Sequence, residues 1–239
     1  MYRFTIQIAG VPIEIRTGIA AFESRFKAYL TDKKPEFSVS VTEADLEFER
    51  ASAKAQEPQD WQLEWMAIYR KICSVMAEKN TVLIHGSSLC MDGKAYLFCA
   101  KSGTGKSTHT KLWRQVFGDR VVMINDDKPL VSISGNEAVI YGTPWNGKHH
   151  IGTNISAPLK NIVFLERGSE NVLVPFDKKN AFTELLKYIY RPDDTSEMLQ
   201  VLDTAAKIAD LSSFWTLRCN MDPSAAQIAY KAMSEPQKG

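Results

Sequence analysis

The chain has 239 residues, 44% of them hydrophobic and 24% charged, and its 29 basic and 28 acidic side chains leave a formal net charge of +1. Apolar and aromatic content on that scale excludes a disordered chain, and the balanced charge excludes the basic footprint of a nucleic-acid binder. No apolar run approaches the roughly 18 residues that span a bilayer, so a membrane protein is excluded as well.

The opening Met1-Tyr2-Arg3-Phe4-Thr5-Ile6-Gln7-Ile8 alternates as a strand and lacks the charged-then-apolar order of a signal peptide, which makes a cytoplasmic location the expectation. Val11, Ile13 and Ile15 alternate again after Ala9-Gly10, predicting a hairpin. Ile19, Phe22, Phe26, Tyr29 and Leu30 follow at helical spacing. Phe37 to Val41 and Leu46-Glu47-Phe48 read as strands, and the polar stretch Ala51 to Gln59 as a linker. Residues 1–60 are therefore expected to form a small β-rich layer and residues 61–239 an α/β domain.

From Asp60, a stripe of Trp61, Trp65, Ile68, Tyr69, Ile72 and Met76 predicts a core-facing helix that Asn80 ends. Strands are predicted at 82–85 and 95–99, separated by a turn at Met91-Asp92-Gly93-Lys94, and again at 121–124, 160–166 and 172–176. Three helices are expected to close the chain, at about 179–190, 195–210 and 223–234. Asp222 as N-cap and Pro223 in the first helical position mark the last of them. The four cysteines, Cys73, Cys90, Cys99 and Cys219, have no zinc-knuckle spacing and read as buried small apolar residues.

The chemistry concentrates in Ala100-Lys101-Ser102-Gly103-Thr104-Gly105-Lys106-Ser107, which follows an apolar strand and enters a helix with Leu112, Trp113, Val116 and Phe117 on one face. That is the context in which a Walker A loop has physical meaning. Gly103 and Gly105 let successive N–H groups turn inward toward phosphate oxygens, and the helix N-terminus adds its partial positive charge. Ser102, Gly103, Thr104, Gly105, Lys106, Ser107 and Thr108 are the candidate nucleotide-binding residues. Lys106 is suited to the β and γ phosphates, and the Ser107 hydroxyl to Mg²⁺. Position 100 is Ala where the usual pattern has Gly.

A second element supports the first. The strand Val121-Val122-Met123-Ile124 runs into Asn125-Asp126-Asp127, and carboxylates after a buried strand are costly unless a cation or a function repays them. One Asp in that place can hold Mg²⁺; its neighbour can take the proton of an attacking hydroxyl.

With His85-Gly86 on the preceding strand, and with Trp145-Asn146-Gly147-Lys148-His149-His150-Ile151-Gly152 as a weaker match, these motifs resemble the catalytic domain of HPr kinase/phosphorylase. More distantly they resemble ATP-dependent phosphoenolpyruvate carboxykinase. The resemblance covers roughly residues 80–167. Thr108 departs from it, standing where HPr kinases usually carry an acidic residue. The resemblance implies a mixed sheet carrying the phosphate loop at its edge, with ATP and Mg²⁺ as cofactors. It also implies a catalytic set of Asp126, Asp127, His85 and Lys148, the last together with His149 or His150 against the transferred phosphoryl group. Asp126 is assigned as the base; Ser107 and Asp127 go to the metal. The implied activity is transfer of the γ-phosphoryl of ATP to a hydroxyl, with a serine of a peptide or protein as the first choice of acceptor. A small-metabolite kinase and a non-catalytic ATP-sensing partner module are the alternatives.

Overall fold

The computed structural model describes residues 1–53 and 58–234, and these divide into two compact units, one ending at Lys79 and the other beginning at Asn80. The first unit opens with the expected hairpin, strands β1 (Tyr2–Ile8) and β2 (Val11–Thr17), turned by Ala9 and Gly10 at positive φ. A short helix α1 (Ala21–Arg25) and a 3₁₀ turn (Lys27–Tyr29) lead to β3 (Phe37–Ser40), which pairs parallel with β2. Helices α2 (Glu43–Ser52) and α3 (Asp60–Ala77) complete the unit. Phe22 and Phe26 pack on Trp65 with ring centroids 5.2 and 5.0 Å apart.

Leu46-Glu47-Phe48, expected as a strand, lies inside α2. Three alternating residues are a weak signal. The stronger one is Thr42, whose hydroxyl accepts from Asp45 N while Asp45 returns its carboxylate to Thr42 N, so a capping box nucleates a helix there. Arg70 and Lys71 of α3 then pair with Asp45 and Glu49 of α2. The contact division falls after α3, whereas the sequence reading set the domain boundary ahead of it. Residues 54–57, the middle of the expected linker, lie outside the described residues.

The second unit contains β4 (Thr81–Leu83), β5 (Ser87–Met91), β6 (Lys94–Cys99), α4 (Lys106–Phe117), β7 (Val121–Asn125), β8 (Leu130–Ser134), β9 (Glu137–Tyr141) and β10 (Ser156–Arg167). It continues with β11 (Val172–Pro175), α5 (Lys178–Leu185), α6 (Thr195–Leu211), β12 (Ser213–Cys219) and α7 (Ser224–Ser234). One mixed sheet runs in the order β4-β8-β9-β10-β6-β5-β7, with β12 paired to β10 and β11 to β12. Strand β10 joins its parts, because Ser156–Pro158 pair antiparallel with β9 before the strand turns parallel to both β6 and β12.

The phosphate-loop candidate therefore follows an interior strand: β6 lies between β10 and β5, not at the sheet's edge. Strands β5, β8, β9 and β12 went unread in the sequence. The last interrupts the expected run of closing helices, where Phe214, Trp215 and Leu217 are buried in the sheet. Of the cysteines, Cys73 and Cys99 are buried as expected, but Cys90 and Cys219 are only half-buried. Among the described residues no helix is long and apolar enough to cross a membrane.

The core beneath α4 is built from Leu89, Tyr96, Phe98, Val163, Trp215 and Leu217 of the sheet and Ala225, Ala226 and Ala229 of α7. Trp113 of α4 sits fully buried at its centre, 4.9 Å from the ring of Tyr96 and 5.7 Å from that of Phe98. The alanines of α7 let that helix come close, and α4 is clamped onto the sheet. Trp113→Ala should leave a cavity under α4 and lower the unfolding free energy by roughly 3–5 kcal/mol, measured by chemical denaturation followed by circular dichroism.

Candidate functional site

At the end of β6 the chain must stop pairing and reverse into α4 within a few residues. Gly103 (φ 79°) and Gly105 (φ 129°) take left-handed backbone conformations that residues with a Cβ rarely adopt, and they make the reversal possible. Gly105 is the N-cap of α4 and offers no side chain to cap the helix, so the first-turn N–H groups have no side-chain cap. Thr104 N donates to Lys101 O at 3.2 Å and closes the loop.

Lys106 begins α4 and is 9% exposed. Its ammonium donates to Ala100 O at 3.0 Å across the loop. Burial pulls its pKa down, opposed by the charges of Cys99 and Asp127. A buried ammonium held by a carbonyl is under-compensated, and an anion in the loop would correct that. Ser107 is half-buried in the same turn, whereas Ser102, Gly103 and Thr108 are exposed.

The acidic pair stands at the end of β7, and a fully buried Asn125 organises it. Its Oδ1 accepts from Asp127 N at 2.8 Å and Lys128 N at 2.6 Å, while its Nδ2 donates to Thr143 O and Oγ1, each at 3.0 Å. This amide folds the turn so that the two aspartates occupy different surroundings.

Asp127 Oδ1 lies 3.2 Å from His85 Nδ1, and Gly86 N donates to Asp127 O at 3.0 Å. Burial raises the Asp127 pKa, but the His85 hydrogen bond and the charges of His85, Lys128 and Lys106 outweigh it and hold the carboxyl below its ordinary range. Asp126 is 4% exposed; its Oδ1 accepts from Gly147 N at 2.6 Å and its Oδ2 is buried with no partner. Burial pushes the Asp126 pKa up, the Gly147 N–H opposes this, and the charge of Asp127 adds to the rise.

Segment 145–152 is laid against the same strand end, with Trp145 buried, Gly152 bridged to Asn125, and Thr153 N donating to Ile124 O at 3.1 Å. It brings the backbone of Gly147 onto Asp126 and leaves Lys148, His149 and His150 exposed beside it. His149 is near enough for its charge to act on Asp126. The structure thus gathers His85, Asp127 and Lys106 in one electrostatic neighbourhood and Asp126 with segment 145–152 in an adjoining one. It shows no contact from Lys148 to either carboxylate.

Three residues escaped the sequence reading. Asn125 was noted in the strand-end motif but given no task, although a buried amide ahead of two carboxylates is a legible turn signal. Arg167, at the end of β10, donates through Nη2 to Gly103 O at 2.6 Å and reaches Thr104 O at 3.4 Å. Only the pairing of β10 with β6 reveals that contact. His109, given no role in the sequence reading, is a buried residue of α4.

Two cavities flank the loop. One of about 650 Å³ is lined by charged and hydroxylic groups including Lys101, Ser102, Glu184 and Tyr188; the other, of about 480 Å³, lies against Thr108, His109 and the segment after β12. Arg167 borders both. Ser107 and Asp127 carry hard oxygen donors of the kind that Mg²⁺ prefers. Among the described residues no group of three or more His, Cys, Asp or Glu side chains forms a metal site of its own.

No protein-family model matches the chain, and no curated protein matches it significantly. Among solved structures it is similar to the HPr(Ser) kinase/phosphatase from Coxiella burnetii, at 10% sequence identity and a TM-score of 0.35, over 64% of this chain and 99% of that one.

The raised Asp126 carboxyl carries a pH signature. A folded-state pKa above the unfolded value means that the native state binds the proton more tightly. Stability from this group is therefore full below the unfolded pKa and is lost as pH rises through the folded one. Asp126→Asn keeps the acceptor for Gly147 N and removes the charge. The variant should gain stability over the parent as pH rises from the ordinary carboxylate range, with the gain levelling off above the raised pKa. Denaturation midpoints across pH 3–8 check this, and a gain independent of pH would contradict it.

Proposed function

We propose that the chain is a Mg²⁺-dependent phosphotransferase that moves the γ-phosphoryl group of ATP to a hydroxyl, with a serine of a peptide or protein as the preferred acceptor. The observation that carries this reading is the buried Lys106 ammonium, held by a carbonyl inside a two-glycine loop at a helix N-terminus, with Asp127 acting on it. That arrangement suits a polyphosphate better than any other common anion, because N–H groups, helix dipole and ammonium converge on successive oxygens.

In this reading the loop amides and Lys106 bind and orient the phosphates, and Arg167 steadies the loop by holding the carbonyls of Gly103 and Thr104. Ser107 and Asp127 would hold Mg²⁺, which when bound supplies positive charge to the phosphate oxygens. His85 keeps Asp127 ionised for that task. Asp126 takes the base role, since burial has moved its affinity for a proton toward that of a useful acceptor. As the acceptor oxygen forms its bond to the γ-phosphorus, the bond to the β–γ bridging oxygen breaks. ADP leaves, and the hydroxyl proton passes to Asp126. Lys148 and His149, exposed beside Asp126, are the cations proposed to face the transferred group.

Phosphorus NMR of MgATP with the chain, a desalted extract and candidate serine peptides tests the reading. ADP and a new phosphomonoester should grow together, and Lys106→Ala should abolish both. Asp126→Asn should still bind nucleotide and turn over roughly 10²–10⁴-fold more slowly, the scale of a lost general base. Full activity in both Asp126→Asn and Asp127→Asn would refute the mechanism. ATP that binds and is never converted would favour the non-catalytic sensing module.

A further inference from the structure

The two cavities beside the loop differ in chemistry, and that difference says where the rest of a nucleotide goes. The larger one is bordered by Lys101, Ser102, Glu166, Glu184 and Tyr188, a mostly charged and hydroxylic lining. The smaller is bordered by Gly103 and Gly105, by Thr108 and His109 of α4, and by Cys219 at the end of β12 with Asn220 and Met221 beyond it, while Arg167 borders both.

Two features of the smaller cavity suit a ligand. Met221 is 78% exposed at its rim, an apolar side chain that covers nothing. It is also held firmly there. Asn220 N donates to Asn171 Oδ1, Asn220 Nδ2 donates to Ser169 O, and Asp222 N donates to Asn220 Oδ1, at 2.9, 2.8 and 2.9 Å.

His109 is the second. It is 2% exposed, edge-on to Phe98 with centroids 4.8 Å apart, and its Nε2 lies 2.9 Å from Trp113 Nε1. An indole nitrogen only donates, so Nε2 is the acceptor and the proton of the neutral ring sits on Nδ1. Burial holds the ring neutral, with its pKa pushed down to about 3. Nδ1–H is thus a buried donor, and it has no partner. Leaving such a donor unsatisfied is costly, and the bond that Nε2 accepts from Trp113 does not relieve it.

We infer that the smaller cavity is the base subsite of the nucleotide, with Met221 packing on the face of a purine ring and a ring nitrogen accepting from His109 Nδ1–H. This rests on the phosphate-loop reading above and adds to it the residues that select a nucleoside triphosphate over bare polyphosphate.

The test is to titrate the purified chain with MgATP and with magnesium tripolyphosphate, which carries the phosphates without the base, and to repeat both on His109→Leu and Met221→Asp. Met221 is exposed, so its variant reports even if the buried His109 change perturbs folding. The wild type should prefer ATP by at least about tenfold, and each substitution should remove about tenfold of ATP affinity while leaving tripolyphosphate binding unchanged. The imidazole Nδ1–H resonance of His109 should move with ATP and not with tripolyphosphate. Equal affinity for the two ligands, or an ATP preference that survives both substitutions, would overturn the base subsite and leave the phosphate loop standing. Failure of the wild type to bind tripolyphosphate would contradict the phosphate loop, and the base subsite would fall with it.

Discussion

An ammonium group kept largely out of water with only a carbonyl for a hydrogen-bond partner is the constraint around which the second unit is arranged. Lys106 can be buried because the chain reverses between β6 and α4 through two left-handed glycines, which brings Ala100 O within reach of Nζ. The reversal holds because α4 is anchored on the sheet by Trp113 and closed over by the alanine face of α7. Arg167 extends the same logic from the neighbouring parallel strand. It engages the carbonyls of Gly103 and Thr104 and so ties the loop to the end of β10.

Asn125 plays the corresponding part on the acidic side. Two adjacent carboxylates at a strand end would ordinarily repel each other into solvent. The buried amide instead sets a turn in which Asp127 meets His85 while Asp126 meets only a backbone N–H. One of the pair is thereby kept ionised and the other is pushed toward the proton. Such a separation of two neighbouring carboxylates is what a division between metal holding and proton transfer requires. Its cost falls on Asp126, whose Oδ2 is left buried and unpartnered.

What could be read from the sequence was local. The hairpin at Ala9-Gly10, the helix from Asp60, the glycine loop with its helix and the strand-end aspartates each depend on residues close together in the chain. Long-range pairing decided what was missed. Strand β12 has no turn of its own to announce it and is a strand because β10 offers it an edge. Leu46 to Phe48 failed in the opposite sense, since the capping box between Thr42 and Asp45 outweighed a brief alternation. The site followed the same rule. Lys106, Asp126, Asp127 and His85 come from compact motifs, but Arg167 reaches the loop only because β10 runs parallel beside β6. His109 carried no signal until its ring nitrogens could be matched to partners, one to Trp113 and the other to none.

The central claim is that the loop from Ala100 to Gly105 and the first turn of α4 receive phosphate, and backbone amide resonances report on it without any assumption about the acceptor. In ¹H–¹⁵N spectra of the labelled chain, MgATP should shift the amides of Gly103, Gly105, Lys106 and Ser107 strongly and saturably, and Lys106→Ala should remove the effect. Loop amides that stay in place at saturating nucleotide, or shift equally in the Lys106 variant, would contradict the account.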